Sequence, residues 1–448
     1  MGISYRKGCR SIWFSDLANA LIYSLKFPQK LPQKVARLSS RMKLYTDPAA
    51  MAPFTPELDS ELENLSLQVS NAASYLAGTL HPLTAQAVAV FLRPMNSYYS
   101  NLIEGHNTSP LAIARALAQD FSTDHRNRNL QLEARAHILT QARLYEQLRA
   151  EPARFPNPYV AELWQWLHRE FYEHLPADFQ QVEAAEGPAL LVVPGELRTT
   201  EVYVGRHIAP AAAALPAFSE VFATQYDPTR NRSRLRQITQ VAAAHHRFAW
   251  MHPFPDGNGR VGRLLSDAAL QMAGLGAEGL WSIGRGLAQH ERRYKELLAN
   301  ADQQRYNDYD GRGNLSEKAL RAFCIFFLET ALDQLRYMRQ VLATDAMLDR
   351  IRALAELLTT RHRLAKEARF VLEEVFLRGQ ITRRELPRLV QKSENTARSI
   401  AEALVQQGLL TTGNRFAPYQ VAYPIRLSPV LFPDLYPAGE EVTLWQAI

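Results

Sequence analysis

The sequence predicts a mainly α-helical protein with one short β-hairpin and a C-terminal winged helix-turn-helix domain. Three observations predict it. Apolar residues recur at helical spacing through most of the chain. Only residues 190–210 gather β-branched residues and glycines in the manner of a hairpin. Beyond residue 345, three short helical segments are followed by two strand-like runs around Gly413-Asn414.

Composition narrows the function classes. At 448 residues the chain is long enough for more than one domain. With 47% hydrophobic and 21% charged residues it is neither disordered nor collagen-like. No apolar run approaches the roughly 18 residues of a membrane span, so no membrane partner is expected. Cys9 and Cys324 are the only cysteines, too few for a disulfide framework or a four-thiolate metal site. A reducing cytoplasm is the expected compartment. The net charge of +6 is local: residues 1–43 carry nine Lys/Arg against Asp16 alone. A basic leader is expected over 1–45, disordered or translated from a start upstream of Met42. The remaining body is slightly acidic, which argues against a nucleic-acid-binding core.

The elements follow in order. Residues 46–130 form an N-terminal helical segment. In it Leu58, Leu62, Leu65, Leu67, Val69 and Leu76 predict a helix over 57–79, and an apolar helix over 84–104 stops at Gly105. Residues 131–345 form the core, with helices expected over 129–149, 159–173, 232–251, 260–273, 290–301 and 316–343. The hairpin is expected from Leu190–Val193, a turn at Pro194-Gly195, and Thr199–Val204. Residues 346–448 form the winged helix, with helices over 366–378 and 382–391. Ser393 caps a third, whose Ala397, Ile400, Ala401 and Leu404 share one face. Leu409–Thr412 and Arg415–Val421 would be the wing.

The densest chemistry lies in His252-Pro253-Phe254-Pro255-Asp256-Gly257-Asn258-Gly259-Arg260-Val261-Gly262-Arg263. Pro253 and Pro255 end the upstream helix. Gly257, Asn258 and Gly259 tolerate the conformations in which successive amides converge, and the next helix points its positive end at the same spot. That is an anion cradle. Arg260 and Arg263, one turn apart, can each engage a phosphate group. Asp256 offers a hard carboxylate for Mg²⁺, and His252 offers a base that titrates near neutral pH.

This segment resembles the signature of the Fic family, HxFxDGNGRxxR, at every fixed position. The resemblance implies a Fic-type helical core that transfers AMP from ATP to a Ser, Thr or Tyr hydroxyl of a target protein, and of itself. It implies His252 as general base, Asp256 as Mg²⁺ ligand, and Gly257, Asn258 and Gly259 on the α- and β-phosphates. Arg260 would hold the β-phosphate, Arg263 the γ-phosphate, and Phe254 would anchor the loop. The hairpin resembles the family's flap, with Val204, Gly205, Arg206 and His207 nearest ATP. Tyr294 matches a tyrosine against the sugar or base, or is one more core aromatic.

Ser100-Asn101-Leu102-Ile103-Glu104-Gly105 resembles the family's inhibitory motif, [ST]xxxE[GN]. Ser100 and Glu104 are spaced i, i+4, so they face one way. Glu104 would occupy Arg263 and exclude the γ-phosphate. In relatives this glutamate also directs water, so removal of AMP is open here.

Other signals are weaker. Asp308, Asp310, Gly311 and Glu317 imitate a calcium loop, but Tyr306 stands at its first ligand position, so a turn capped by Ser316 is expected. His245-His246 lack a third ligand and read as residues of the helix polar face or behind the site. Trp164 and Trp166 cannot share one helix face, so one should be partly exposed. Residues 361–424 hold eleven Lys/Arg against six Asp/Glu. This leaves open a nucleotide-sensing transcription regulator that touches DNA through residues 382–415, or a homodimer module. A kinase-like variant would depart at the second glycine and the last arginine, and Gly259 and Arg263 are both present.

Overall fold

The computed structural model describes residues 44–182, 190–205, 207–231 and 233–448. Residues 1–43 of the leader and Arg206 lie outside the described residues. Helices dominate, as expected, and no single described helix is long and apolar enough to cross a membrane.

Helix α1 (Ser60–Ala77) starts where Asp59 accepts from the amides of Glu61 and Leu62. Helix α2 (Pro82–Ile103) is the longest apolar element of the N-terminal segment. It ends in a Schellman turn: Gly105, at φ 81°, donates to Leu102, and His106 donates to Asn101. That turn fixes how Glu104 and His106 leave the helix. Helix α3 (Pro110–Leu117) and helix α4 (His125–Ala150) follow. Helix α5 (Ala161–Glu173) buries both Trp164 and Trp166, contrary to the one-faced expectation. It is covered on two sides: Trp164 packs on Phe248 and Phe254, and Trp166 on Phe155.

The hairpin is real but displaced. Strands β1 (Tyr203–Val204) and β2 (His207–Ile208) pair antiparallel around Gly205, which adopts φ 62°. The predicted turn at Pro194-Gly195 does not fold Leu190–Val193 back on Thr199–Val204. The Gly195 amide instead donates to His168. Buried Arg198 donates to the carbonyls of His252, Thr200 and Pro210, so the segment is held as a loop.

Helix α6 (Leu215–Gln225) leads to α7 (Arg234–Met251), capped by Ser233. Helix α8 (Asn258–Met272), α9 (Ile283–Gln289), α10 (Glu291–Ala301) and α11 (Glu317–Val341) complete the core. Ser316 caps α11, and Asp310 accepts from Ser316, Lys318 and Tyr306, so its carboxylate serves a turn.

The C-terminal part runs α12 (Thr344–Thr360), α13 (Ala368–Arg378), β3 (Gln380–Ile381), α14 (Leu386–Val390), α15 (Glu394–Gln406), β4 (Leu410–Thr411) and β5 (Tyr419–Val421). Ser393 caps α15, and its predicted apolar face is buried. The sheet order is β3-β5-β4, antiparallel throughout. Strand β3 was not expected. The turn is also longer than the Gly413-Asn414 expectation, because Thr411 pairs with Gln420 and leaves residues 412–418 between the strands. Arg383 fills that loop, donating to the carbonyls of Asn414 and Ala417. Helices α16 (Ser428–Leu431) and α17 (Ala438–Gln446) close the chain.

This C-terminal part grips α2. Phe91 stacks on Phe432 at 4.3 Å, Tyr99 donates to the Leu435 carbonyl at 2.9 Å, and Thr84 donates to that of Phe376.

Candidate active site

Helix α7 stops at His252, a non-glycine in the left-handed region (φ 47°) whose amide still reaches Phe248. Pro253 cannot continue the helix, and the Arg198 side chain holds the His252 carbonyl at 2.8 Å. Backbone strain of this kind persists only when neighbours fix it. The loop is then pinned in the core by Phe254, fully buried and stacked on His168 at 3.9 Å. Asn258 closes it: its side-chain oxygen accepts from the Phe254 amide and its nitrogen donates to the Phe254 carbonyl. The Asn258 side chain is therefore spent on the loop, and only its amide faces the cradle.

Helix α8 begins at Gly257 (φ 79°) with no side-chain cap. The first amides of a helix have no partner within it, and here none is supplied by a side chain among the described residues. Unpaired amides of this kind can bind an anion. A Cβ on Gly257 would also crowd the Tyr172 ring, at 3.2 Å.

Glu104 lies over the start of this helix. Its carboxylate accepts from Arg263 at 2.6 Å and lies so close to Gly259 that a Cβ on that residue would stand 2.2 Å from it. Arg263 is almost fully buried and also donates to the Ser100 hydroxyl and carbonyl, both at 2.9 Å. Burial works against the charge of Glu104. The Arg263 and Arg260 guanidinium groups outweigh it and hold the carboxyl below its usual range.

Asp256 accepts from the Tyr172 hydroxyl and from Arg260, both on Oδ2. Oδ1 has no side-chain partner among the described residues, and the side chain is 40% exposed. Burial opposes its charge too, but Arg260 and the Tyr172 hydrogen bond prevail and its pKa is lowered. His252, half-buried, is pushed down to about 4, by burial first and by neighbouring His207 second. It is thus a neutral base at pH 7. His207 itself bonds the Trp250 carbonyl at 2.7 Å through Nε2, which ties the flap to the end of α7. Val204 and Gly205 sit at the exposed hairpin tip.

Tyr294 is not at the surface of the site. It is buried, and its hydroxyl bonds His245 at 2.7 Å. His245 and His246 are likewise core residues, not a polar face: His245 bonds Ser266 and is pushed down to about 3 by burial. His246 lies between the Leu298 carbonyl and Asp302.

Sequence reasoning missed the residues that come from other elements. Tyr172 and His168 on α5 hold Asp256 by its carboxylate and its carbonyl. Arg198 locks the flap base, and Glu133 on α4 stands 3.4 Å from Arg260. None carries a local sequence signal.

Comparison with known proteins agrees with the loop. Residues 159–270 match the model of the Fic/DOC family. Curated relatives include the protein adenylyltransferases Fic of Drosophila grimshawi (39% identical over 108 residues) and Drosophila melanogaster (35%). Each match spans 24% of this chain and 19% of the relative, so the chain covers about a fifth of their length. Among solved structures, a Fic family protein from Desulfovibrio desulfuricans G20 is 16% identical at TM-score 0.45, covering 82% of this chain and 97% of that one. Fic-1 from C. elegans is 15% identical at TM-score 0.46, covering 63% and 73%.

Proposed function

With residues 159–270 a Fic/DOC family domain, we propose that this chain is a protein adenylyltransferase held in check by its own Glu104. The observation that carries the reading is the Glu104 carboxylate bonded to Arg263 over the uncapped start of α8. A site built for anions is occupied by an anion of the chain itself.

On release, the amides of Gly257, Asn258 and Gly259 would receive the α- and β-phosphates, Arg260 the β-phosphate and Arg263 the γ-phosphate. Neutral His252 would accept the proton of the attacking Ser, Thr or Tyr hydroxyl. Preorganised donors at the phosphoryl oxygens are the main source of rate in such transfers. The flap residues Val204, Gly205 and His207 would line the target segment, with the exposed backbone edge of β1 open to strand addition. Tyr294, buried and bonded to His245, would be a core aromatic behind the site.

Asp256 fits Mg²⁺. Its Oδ1, without a side-chain partner among the described residues, and its lowered pKa suit an ion held by one carboxylate and substrate phosphates. Bound there, Mg²⁺ would neutralise phosphate charge. The C-terminal part we read as a winged helix, by element order. Its DNA reading is the weaker one, because Arg383 is committed to loop carbonyls and Arg398 to Glu402. Two cysteines and no spanning helix among the described residues suit a cytoplasmic protein.

Calorimetry with ATP and ADP tests the reading. Glu104→Gly should bind ATP at least tenfold more tightly than wild type, with ADP, which lacks a γ-phosphate, changing much less. Equal gains for both nucleotides, or none, would overturn the proposed role of Glu104.

A further inference from the structure

Glu133 is a buried carboxylate that the chemistry above does not use. Burying one is costly unless charged or hydrogen-bonding partners meet it, and Glu133 has two such partners. Its Oε2 lies 2.5 Å from Nδ1 of His106 and 3.4 Å from Nη1 of Arg260. These partners belong to different machines. His106 ends the Schellman turn two residues after Glu104, and Arg260 is the first arginine of the anion cradle.

Arg260 is held at three places: Nη1 by Glu133, Nη2 by Asp256 at 3.0 Å, and its flat face over the Phe171 ring at 4.9 Å. Its Nε has no partner. Were Asp256 to hold a metal ion instead, Arg260 would keep the Phe171 ring on one face and Glu133 at one end, with no other side-chain partner among the described residues.

We propose that Glu133 is the positioning residue for Arg260, aiming its guanidinium at the second phosphate of a nucleoside diphosphate or triphosphate, with His106 bonded to the same oxygen. The proposal rests on the nucleotide-binding reading of the cradle. A carboxylate beside Arg260 could also compete with phosphate for its charge. The shared oxygen decides between the two effects. His106, whose neighbours are Glu133 from α4, Arg260 from α8 and Glu104 from its own turn, has a raised pKa chiefly through its bond to Glu133. His106, bonded at 2.5 Å, occupies that oxygen and blunts the competition, and Glu133 keeps its charge 3.4 Å from Nη1 of Arg260.

The test uses the full chain in the Glu104→Gly background, with Mg²⁺ and calorimetry against ADP and AMP. AMP lacks the phosphate that Arg260 would meet. Glu133→Gln keeps the shape and removes the charge; it should weaken ADP about tenfold and leave AMP within twofold. Glu133→Asp, shorter but charged, should fall between. A thermal melt within a few degrees of the parent separates these effects from misfolding. His106→Ala, which unshields Glu133, should also weaken ADP selectively. Unchanged or tighter ADP binding in Glu133→Gln, or equal loss of ADP and AMP, would overturn the proposal while leaving the nucleotide site intact. Failure of the Glu104→Gly parent to bind either nucleotide would overturn the functional reading itself.

Discussion

Replacing Glu104 by glutamine separates the charge of the switch from its bulk. Glutamine keeps the volume above Gly259 and can still accept from Arg263, but it removes the ion pair. Breaking a fully buried pair by removing one charge costs about 3–5 kcal/mol. Here the Arg263 side chain is 5% exposed and that of Glu104 33%. Solvent therefore screens part of the interaction, and about 2 kcal/mol is the expected loss. That raises the open population about thirtyfold. Both bonds from Arg263 to Ser100 survive, so Glu104→Gln should remain below Glu104→Gly. The assay is the initial rate of AMP incorporation from ATP labelled at the α-phosphate. A Glu104→Gln rate within twofold of wild type, beside a fast Glu104→Gly, would refute the electrostatic argument and leave bulk as the block.

Other expectations follow from the same structure. In Glu104→Gly, the rate should stay level from pH 8 to about 5 and fall below that, since His252 titrates near 4 in the folded chain; a limb at 6.5 would contradict its burial. His137, His168, His245 and His252 all have lowered pKa values, at about 3, 4, 3 and 4. The unfolded chain binds their protons first, so their stabilising contribution is complete above about pH 6.5 and is lost as pH falls toward 4; melting temperature against pH reads this directly. Asn258→Ala strands the amide and carbonyl of buried Phe254 and should cost about 2–4 kcal/mol of stability, with Asn258→Asp losing less. Tyr99→Phe, which removes the bond to Leu435, should cost about 1 kcal/mol. Tyr436→Phe should be neutral in the same denaturation assay, because that hydroxyl has no partner.

What could be read from sequence was what is written locally. The helices show in apolar periodicity, and the caps at Gly105, Ser316 and Ser393 show in single residues. The cradle is legible because twelve consecutive residues build it. The hairpin was misplaced because Pro194-Gly195 looks like the stronger turn. Tertiary partners decided otherwise: His168 takes the Gly195 amide, and Arg198 ties its neighbours to His252 and Pro210. Trp164 and Trp166 misled for a similar reason, since periodicity assumes one buried face and α5 has two. Glu133, Tyr172 and His168 reach the site from helices far away in sequence. Nothing near them in the chain announces where their side chains converge.

The central claim is that this loop transfers AMP and that Glu104 restrains it. Intact-mass spectrometry after incubation with ATP and Mg²⁺ tests it most directly, on wild type, Glu104→Gly, and Glu104→Gly with His252→Ala. The account predicts an adenylyl mass gain in Glu104→Gly alone. A gain as large in wild type, or one that survives His252→Ala, would contradict it.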